Sequence, residues 1–202
     1  MRLGILGGAF NPPHIGHLVC AQEAVLSLDL ERLLFVPMGV APHREIEQDP
    51  GPEARFEMCE LAVEDDERFE VSRVELDREG PSYTSETLRT LAGEGELFLV
   101  LGGDQAASLP TWHEPEEVLR LATVAVVPRT GFHRETIAVK IASVKGAAGV
   151  RFFDMPRIDV SSSLVRHRVA QGLPIKHLVP DKVIGYIEHN GLYGASKPAT
   201  TA

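Results

Sequence analysis

Short apolar runs alternate with longer stretches of mixed polarity along most of the chain. Runs suited to buried strands lie at residues 3–6, 33–37, 69–74, 97–101, 124–127 and 150–153. Most of the intervening stretches show helical periodicity, as at residues 16–28. This alternation predicts an α/β fold, a Rossmann-like doubly wound parallel sheet with helices on both faces. Such a sheet binds ligands at the carboxyl ends of its strands.

The length and composition are those of one domain. A chain of 202 residues with 44% hydrophobic content can bury one substantial core. We expect a single domain over residues 1–194, with a small C-terminal helical lobe at about 156–194 and a disordered tail at 195–202. No run of eighteen apolar residues and no signal-peptide pattern occurs, which favours a cytoplasmic protein. Cys20 and Cys59 fall within predicted amphipathic helices, where reduced, buried thiols are expected.

The net charge of −9 restricts the partners of the chain. Nonspecific nucleic-acid binding requires many Lys and Arg contacts to phosphate, so we expect no nucleic-acid partner. The lack of a long apolar run predicts no membrane partner. Small anionic substrates remain compatible with this charge, because a few arginines in a cleft dominate at contact distance. The sequence leaves open whether the chain forms a homo-oligomer.

The segment after the first predicted strand carries the strongest chemical signal. Residues 7–17 are Gly-Gly-Ala-Phe-Asn-Pro-Pro-His-Ile-Gly-His, at a strand-to-helix transition. Gly7 and Gly8 allow backbone N–H groups to approach phosphate oxygens, and the helix N-terminus adds open N–H donors and partial positive charge. His14 and His17 supply further donors one turn apart. This pattern predicts a site for a nucleoside triphosphate.

Other interpretations of these residues are a simple tight turn at Gly7 and Gly8, and a solvated histidine pair or half of a metal site at His14 and His17. No Cys or carboxylate cluster lies nearby in sequence to complete a ligand set. The chain also lacks G-x-G-x-x-G after its first strand and G-x-x-x-x-G-K-[ST] anywhere. Their absence argues against a dehydrogenase and a P-loop kinase.

A second cluster lies at residues 160–166, Val-Ser-Ser-Ser-Leu-Val-Arg, where a helical pattern begins that runs to Gly172. Either Ser161 or Asp159 can cap this helix, and capping alone is a sufficient explanation for the serines. Arg166 lies about one turn beyond them. The hydroxyls, the open N–H groups and the guanidinium can therefore face one phosphate chain.

Together the two clusters resemble the ATP-binding signatures of the nucleotidylyltransferase superfamily. The chain resembles the bacterial nicotinate-nucleotide adenylyltransferases over nearly its whole length, with further matches at residues 42–44, 81–88, 103–113, 127–129 and 178–193. It departs from the family pattern in three places. Asn11 stands where the family often has Asp, Arg44 where it often has Lys, and Val-Ser-Ser-Ser where it often has Ile-Ser-Ser-Thr.

The resemblance implies transfer of AMP from ATP to nicotinate mononucleotide, giving deamido-NAD and pyrophosphate in NAD biosynthesis. Mg²⁺ is implied, bound mainly through the ATP phosphates without dedicated protein ligands. The implied catalytic residues are His14, His17 and Arg166. The implied ATP-binding residues are Gly7, Gly8, Ala9, Phe10, His14, His17, Gly103, Asp104, Ser161, Ser162, Ser163 and Arg166. The implied residues for nicotinate mononucleotide are Arg44, Tyr83, Thr84, Trp112 and Arg129.

Several of these residues have a purely structural alternative. Asp104 suits ribose hydroxyls but is equally typical of a helix N-cap. Trp112 suits stacking on a pyridine ring, whereas a lone Trp is more often part of a core. Arg129 suits a phosphate or a surface ion pair. Thr84 begins a predicted helix whose backbone amides suit the nicotinate carboxylate.

Three other functions are compatible with parts of the pattern. Phosphopantetheine adenylyltransferase shares both ATP signatures, but the Ser-Tyr-Thr and Pro-Thr-Trp-His segments argue against it. A class I aminoacyl-tRNA synthetase fragment is disfavoured by the acidic charge and by the lack of a Lys-Met-Ser-Lys-Ser-like loop. A regulatory nucleotide-binding protein would keep the cradle and lose a reacting residue, whereas His14, His17 and Arg166 are all present.

Overall fold

The computed structural model describes residues 1–42, 45–128 and 131–195. The strands are β1 (Arg2–Gly8), β2 (Arg32–Pro37), β3 (Phe69–Val71), β4 (Glu96–Gly102), β5 (Ala122–Val127) and β6 (Arg151–Phe152). The α-helices are α1 (Ile15–Leu28), α2 (Pro52–Val63), α3 (Thr84–Leu91), α4 (Gly103–Ser108), α5 (Pro115–Leu121), α6 (Arg134–Ile141), α7 (Ser162–Ala170) and α8 (Asp181–Asn190). Short 3₁₀ turns lie at Leu109–Thr111, Ala147–Gly149 and Leu192–Gly194.

The six strands form one parallel sheet in the order β3-β2-β1-β4-β5-β6. The chain moves outward from β1 to β3, then returns beside β1 and moves outward again on the other side. The switch point lies between β1 and β4, where a doubly wound sheet opens its crevice. The predicted Rossmann-like α/β fold is confirmed.

Both faces of the sheet are covered, which explains why the inner strands β1, β2, β4 and β5 are continuous apolar runs rather than alternating ones. Successive residues of β1 point to opposite faces of the sheet. Ile5 packs in the cluster with α3, α5 and α6, and Leu6 packs in the cluster with α1 and α2. Ala21 and Ala24 of α1 are fully buried, so that helix lies close to the sheet. This packing holds the turn between β1 and α1 against the strand ends.

A third apolar cluster lies beside the sheet. It joins α7 and α8 to α2 through buried residues that include Val165, Val183, Ile187 and Met58. Gly172, with a φ of 66°, ends α7 in the left-handed conformation predicted for a C′ residue. This cluster fixes the start of α7 relative to the sheet. Residues 196–202, most of the predicted tail, lie outside the described residues.

Cys20 and Cys59 are buried in α1 and α2 and are not joined by a disulfide, as predicted. Burial raises the pKa of the Cys59 thiol well above its usual value, which keeps it protonated. None of the helices in the described part of the chain is both long and apolar enough to cross a membrane.

Candidate active site

A cleft of about 680 Å³ opens at the carboxyl ends of β1, β2 and β4. Predicted site residues from distant parts of the chain line it together: Gly7, Gly8, Ala9, Phe10, His17, Tyr83, Thr84, Asp104, Trp112, Ser162, Ser163 and Arg166. His14, Gly103 and Ser161 are not among its lining residues. Arg44 and Arg129 lie outside the described residues, so their predicted contacts with nicotinate mononucleotide stay predictions.

The turn between β1 and α1 forms one wall of the cleft. A Cβ atom added at Gly7 would meet no other atom within 4 Å, so the glycine leaves open space at the strand end. Phe10 adopts a φ of 48°, the left-handed conformation that non-glycine residues rarely occupy. Surrounding contacts must hold this conformation in place, as is common in ligand-binding turns.

The two histidines have different positions. His17 lines the cleft, and its Nδ1 accepts a hydrogen bond of 3.2 Å from the backbone N–H of His14. The ring proton of neutral His17 therefore lies on Nε2, which makes that nitrogen a donor. His14 is 4% exposed, and its ring stacks on His17 with centroids 3.7 Å apart. The buried His14 ring thus packs against one face of the His17 ring and helps to hold it in place.

The start of α7 faces the same wall. Ser161 caps the helix, because its Oγ accepts from the backbone N–H of Leu164 at 3.2 Å. The Ser162 hydroxyl donates to the carbonyl of Pro12 at 2.8 Å, which ties α7 to the β1–α1 turn. The first N–H groups of a helix have no intrahelical acceptor, so those of Ser162 and Ser163 are available to an anion.

Arg166 follows these serines in α7 and is buried, with 8% of its surface exposed. It donates to the carbonyl of Asn11 at 3.0 Å, to Oε2 of Glu47 at 3.0 Å and to Oε1 of Gln48 at 3.3 Å. The guanidinium is therefore engaged by the loop before α2 in this structure. A phosphate chain that takes the Nε and Nη2 donors of Arg166 would replace the contacts from Gln48 and Glu47.

Asn11 connects the turn to two further segments. Its Oδ1 accepts from the hydroxyl of Tyr193 at 2.6 Å, and its Nδ2 donates to the carbonyl of Glu47 at 2.7 Å. The second bond needs an amide donor, so the aspartate common at this position in the resembled family could not make it. Asn11 therefore fastens the 45–48 loop to the turn.

The opposite end of the cleft is aromatic. Thr84 begins α3, as predicted, and Tyr83 precedes it as the N-cap. The Tyr83 ring stacks on His113 with centroids 4.2 Å apart. Trp112 is half-buried, packs partly against the core and donates from Nε1 to Ser108 Oγ at 3.1 Å. The structure therefore combines the two alternatives for Trp112, because its ring contacts the core and also lines the cleft.

A buried carboxyl group lies beneath this end. Glu75 accepts a hydrogen bond of 2.7 Å from the Thr87 hydroxyl of α3. Burial raises the pKa of Glu75, while hydrogen bonds from Thr87 and Ser82 partly oppose that rise. The carboxyl group stabilises the first turn of α3, where the nicotinate carboxylate is predicted to bind.

Two observations concern the remaining predicted residues and metal ligands. Asp104 lines the cleft from the first turn of α4, whose N-cap is Gly102, so Asp104 is not the helix cap. Among the described residues, one group has metal-ligand spacing, the exposed Glu86, His113 and Glu114 at the aromatic end. It lies apart from the wall formed by His17 and Arg166.

The chain resembles known proteins over almost its full length. Residues 5–168 match the cytidylyltransferase-like family. A protein of Geobacillus thermodenitrificans, named a probable nicotinate-nucleotide adenylyltransferase, is 41% identical over 96% of this chain and 87% of its own length. The nicotinate-nucleotide adenylyltransferase of Bacillus subtilis is 37% identical over 95% of this chain and 98% of its own length. The chain belongs to this adenylyltransferase family.

Solved structures support the fold assignment. The nicotinic acid mononucleotide adenylyltransferase of Plasmodium falciparum, complexed with NaAD, superposes with a TM-score of 0.76 at 18% identity, over 95% of this chain and 97% of that one. The same enzyme complexed with APC gives a TM-score of 0.74 at 19% identity, over 95% and 96% of the two chains. These adenylyltransferases share the topology of the present chain.

Sequence reasoning missed four residues that shape this site: Arg55, Glu47, Gln48 and Glu75. Their residue types are common in helices and loops, and no motif marks them. The nearest signal was the Pro- and charge-rich composition of residues 40–53, which predicts a loop but not its contacts.

Proposed function

We propose that the chain transfers the adenylyl group of ATP to nicotinate mononucleotide, releasing pyrophosphate and forming deamido-NAD. The observation that carries this proposal is that one cleft has two chemically different ends. One end offers N–H, imidazole and guanidinium donors for a phosphate chain at His17, Ser163 and Arg166. The other offers a helix N-terminus and aromatic rings at Thr84 and Trp112 for a nicotinate group.

The reaction is a direct in-line displacement. An oxygen of the mononucleotide phosphate forms a bond to the α-phosphorus of ATP, and the bond from that phosphorus to the β-bridging oxygen breaks. The protein contributes alignment and charge stabilisation rather than a covalent intermediate. In this proposal Nε2–H of His17 donates to the α-phosphate, and Arg166 with the start of α7 receives the departing pyrophosphate.

The groups lining the phosphate end favour a metal that arrives on ATP. N–H, imidazole and guanidinium groups suit phosphate oxygens, and Mg²⁺ commonly uses few protein ligands. We propose that the divalent ion is Mg²⁺, which would neutralise charge on the β- and γ-phosphates. The protein donors then orient the α-phosphate, and Asp104 accepts hydrogen bonds from ribose hydroxyls.

Acid and amide acceptors are distinguished by the start of α3. The N–H groups near Thr84 can only donate, so a carboxylate satisfies them with both oxygens. An amide presents an NH₂ group to these donors and leaves a buried group unpaired, which costs roughly 1–3 kcal/mol. We expect at least tenfold to a hundredfold higher kcat/KM for nicotinate mononucleotide than for nicotinamide mononucleotide.

The test measures pyrophosphate release with ATP, Mg²⁺ and one acceptor at a time: nicotinate mononucleotide, nicotinamide mononucleotide or 4′-phosphopantetheine. A kcat/KM at least tenfold higher for the acid than for the amide, with no turnover of 4′-phosphopantetheine, supports the proposal. Equal kcat/KM for acid and amide contradicts the assignment of the α3 start, and turnover with phosphopantetheine alone overturns the proposed acceptor. Binding of ATP without release for any acceptor favours the regulatory interpretation. A cytoplasmic location and the lack of a nucleic-acid partner stay predictions, and the oligomeric state stays open.

A further inference from the structure

Arg55 is a fully buried arginine, with 0% of its surface exposed, in the first turn of α2. A buried guanidinium is unfavourable unless acceptors surround it. It has four: Asp49 Oδ1 at 2.9 Å and three backbone carbonyls, those of Ala9 at 3.1 Å, Met38 at 2.6 Å and Gly39 at 3.3 Å. One side chain therefore joins the segments that follow β1 and β2.

The bond to Ala9 fixes a donor of the predicted phosphate cradle. In a trans peptide the carbonyl and the next N–H point in opposite directions. Because the Ala9 carbonyl points to Arg55, the N–H of Phe10 points away from Arg55. The same contact supports Phe10 in its left-handed conformation, with φ of 48°.

The hydrogen bonds from Arg55 to Met38 and Gly39 help to position the start of α3, at the proposed nicotinate end of the cleft. The Met38 carbonyl accepts from Arg55, and on the opposite side of that peptide the Gly39 N–H donates to Ser82 Oγ at 3.0 Å. Ser82 lies two residues before α3. Gly39 is also pressed against Glu75, since an added Cβ would lie 2.4 Å from the Glu75 carbonyl oxygen. The path from Arg55 to the start of α3 is thus short and closely packed.

We propose that Arg55 is a positioning residue that sets the orientation of the phosphate cradle relative to the start of α3. It touches neither substrate and acts through the peptides before Phe10 and Gly39. This role rests on the proposed function, in which the two ends hold the two reactants. Alignment of reactants affects the rate of reaction more than the binding of each reactant alone.

Arg55→Lys is the principal test, because lysine keeps the charge but cannot reach four acceptors spread around a planar guanidinium. We expect kcat to fall at least tenfold, while KM for ATP and for nicotinate mononucleotide each stay within about threefold. Val63→Ala, at a buried position in the last turn of the same helix and outside the cleft lining, is the control for loss of stability. Its kcat should stay within twofold at a similar loss of Tm.

A second readout needs no turnover. In amide ¹H–¹⁵N spectra of the substrate-free protein, Arg55→Lys should shift Phe10 and Gly39 far more than residues of α8. If the wild type fails to use nicotinate mononucleotide, the proposed function fails, and these shifts still test the orienting role. Unshifted Phe10 and Gly39 signals, or a kcat loss no larger than that of Val63→Ala, overturn the proposal.

Asp49→Ala covers the case in which Arg55→Lys does not fold. This substitution leaves the arginine in place and removes the acceptor of its Nε. The guanidinium then loses the charged partner that the structure shows, so we expect kcat to fall at least threefold with both KM values within threefold. An unchanged kcat, or a rise in one KM that accounts for the whole loss, overturns the proposal.

Discussion

The guanidinium of Arg166 donates to the carboxylate of Glu47 over 3.0 Å, although 119 positions separate the two residues in the chain. Glu47 is 82% exposed and lines the cleft, whereas the Arg166 side chain is 9% exposed. The exposed carboxylate of Glu47 is thus hydrogen-bonded to the guanidinium of Arg166, which binds pyrophosphate in the proposed mechanism.

Glu47→Ala should lower KM for ATP, because ATP then displaces no carboxylate from Arg166. The carboxylate of this ion pair is exposed to solvent, so the pair contributes about 0–1 kcal/mol and the expected decrease is at most about fivefold. Initial rates at saturating nicotinate mononucleotide measure it. The control is Glu188→Ala, which removes one negative charge from an exposed position of α8 and should leave KM for ATP unchanged. A higher KM for ATP in Glu47→Ala would mean that Glu47 helps to bind ATP.

His17→Ala should fold normally and lower kcat by about 10²–10³, the usual effect of losing one preorganised donor to a developing oxyanion. His189→Ala, on an exposed position of α8, serves as the control and should retain its kcat. Steady-state pyrophosphate release and a thermal melt of each variant make the comparison. Near-normal turnover of His17→Ala would remove this imidazole from the mechanism.

Trp112→Ala should raise KM for nicotinate mononucleotide and leave KM for ATP nearly unchanged, since aromatic stacking on a base contributes about 1–3 kcal/mol. The ring also packs partly against the core, so some loss of Tm is expected. Trp112→Phe keeps an aromatic surface and should recover most of the affinity. If both variants lose stability with no selective change in KM, the residue serves the core alone.

Tyr193→Phe should lower the free energy of unfolding by about 1–3 kcal/mol, because the buried Oδ1 of Asn11 loses its donor. The matched control is Tyr186→Phe, whose hydroxyl interacts with Glu57 at a half-buried position and should contribute less. Urea titrations of the three proteins measure the difference. Equal losses in both variants would show that the Asn11 bond adds no special stability.

Glu75 predicts a pH dependence of stability. Its pKa is raised in the folded protein, so folding favours the protonated form. Its stabilising contribution is complete below the unfolded-state pKa and is lost as pH rises through the folded-state pKa. The wild type should therefore lose stability relative to Glu75→Gln over that interval, by up to about 1.4 kcal/mol per pH unit. A pH-independent difference in urea titrations would contradict the raised pKa.

The sequence predicts the sheet well because the information is local. The inner strands β1, β2, β4 and β5 are buried on both faces, so each appears as an apolar run, and all six predicted runs correspond to strands. The cleft wall that contains His17 could also be predicted, because its glycines and histidines lie within one short segment of the sequence. The start of α7 was found for the same reason, with Ser161 as its cap.

The contacts of Arg55 could not be predicted in this way. Three of its acceptors are backbone carbonyls, which every residue possesses, and they lie 16 to 46 positions away along the chain. The pairing of Arg166 with Glu47 has the same origin, since neither helical periodicity nor loop composition specifies which charged groups meet. Both depend on where the strand ends place the following loops.

The hydrogen bond between Tyr193 and Asn11 joins residues 182 positions apart. A ribosome adding about 5–20 residues per second makes the tyrosine roughly 10 to 40 s after the asparagine. Throughout that interval the first turn of the nascent protein lacks the hydroxyl that later engages its amide oxygen. Translation thus produces the phosphate-facing loop early and supplies this bond only when residue 193 has been added and can reach it.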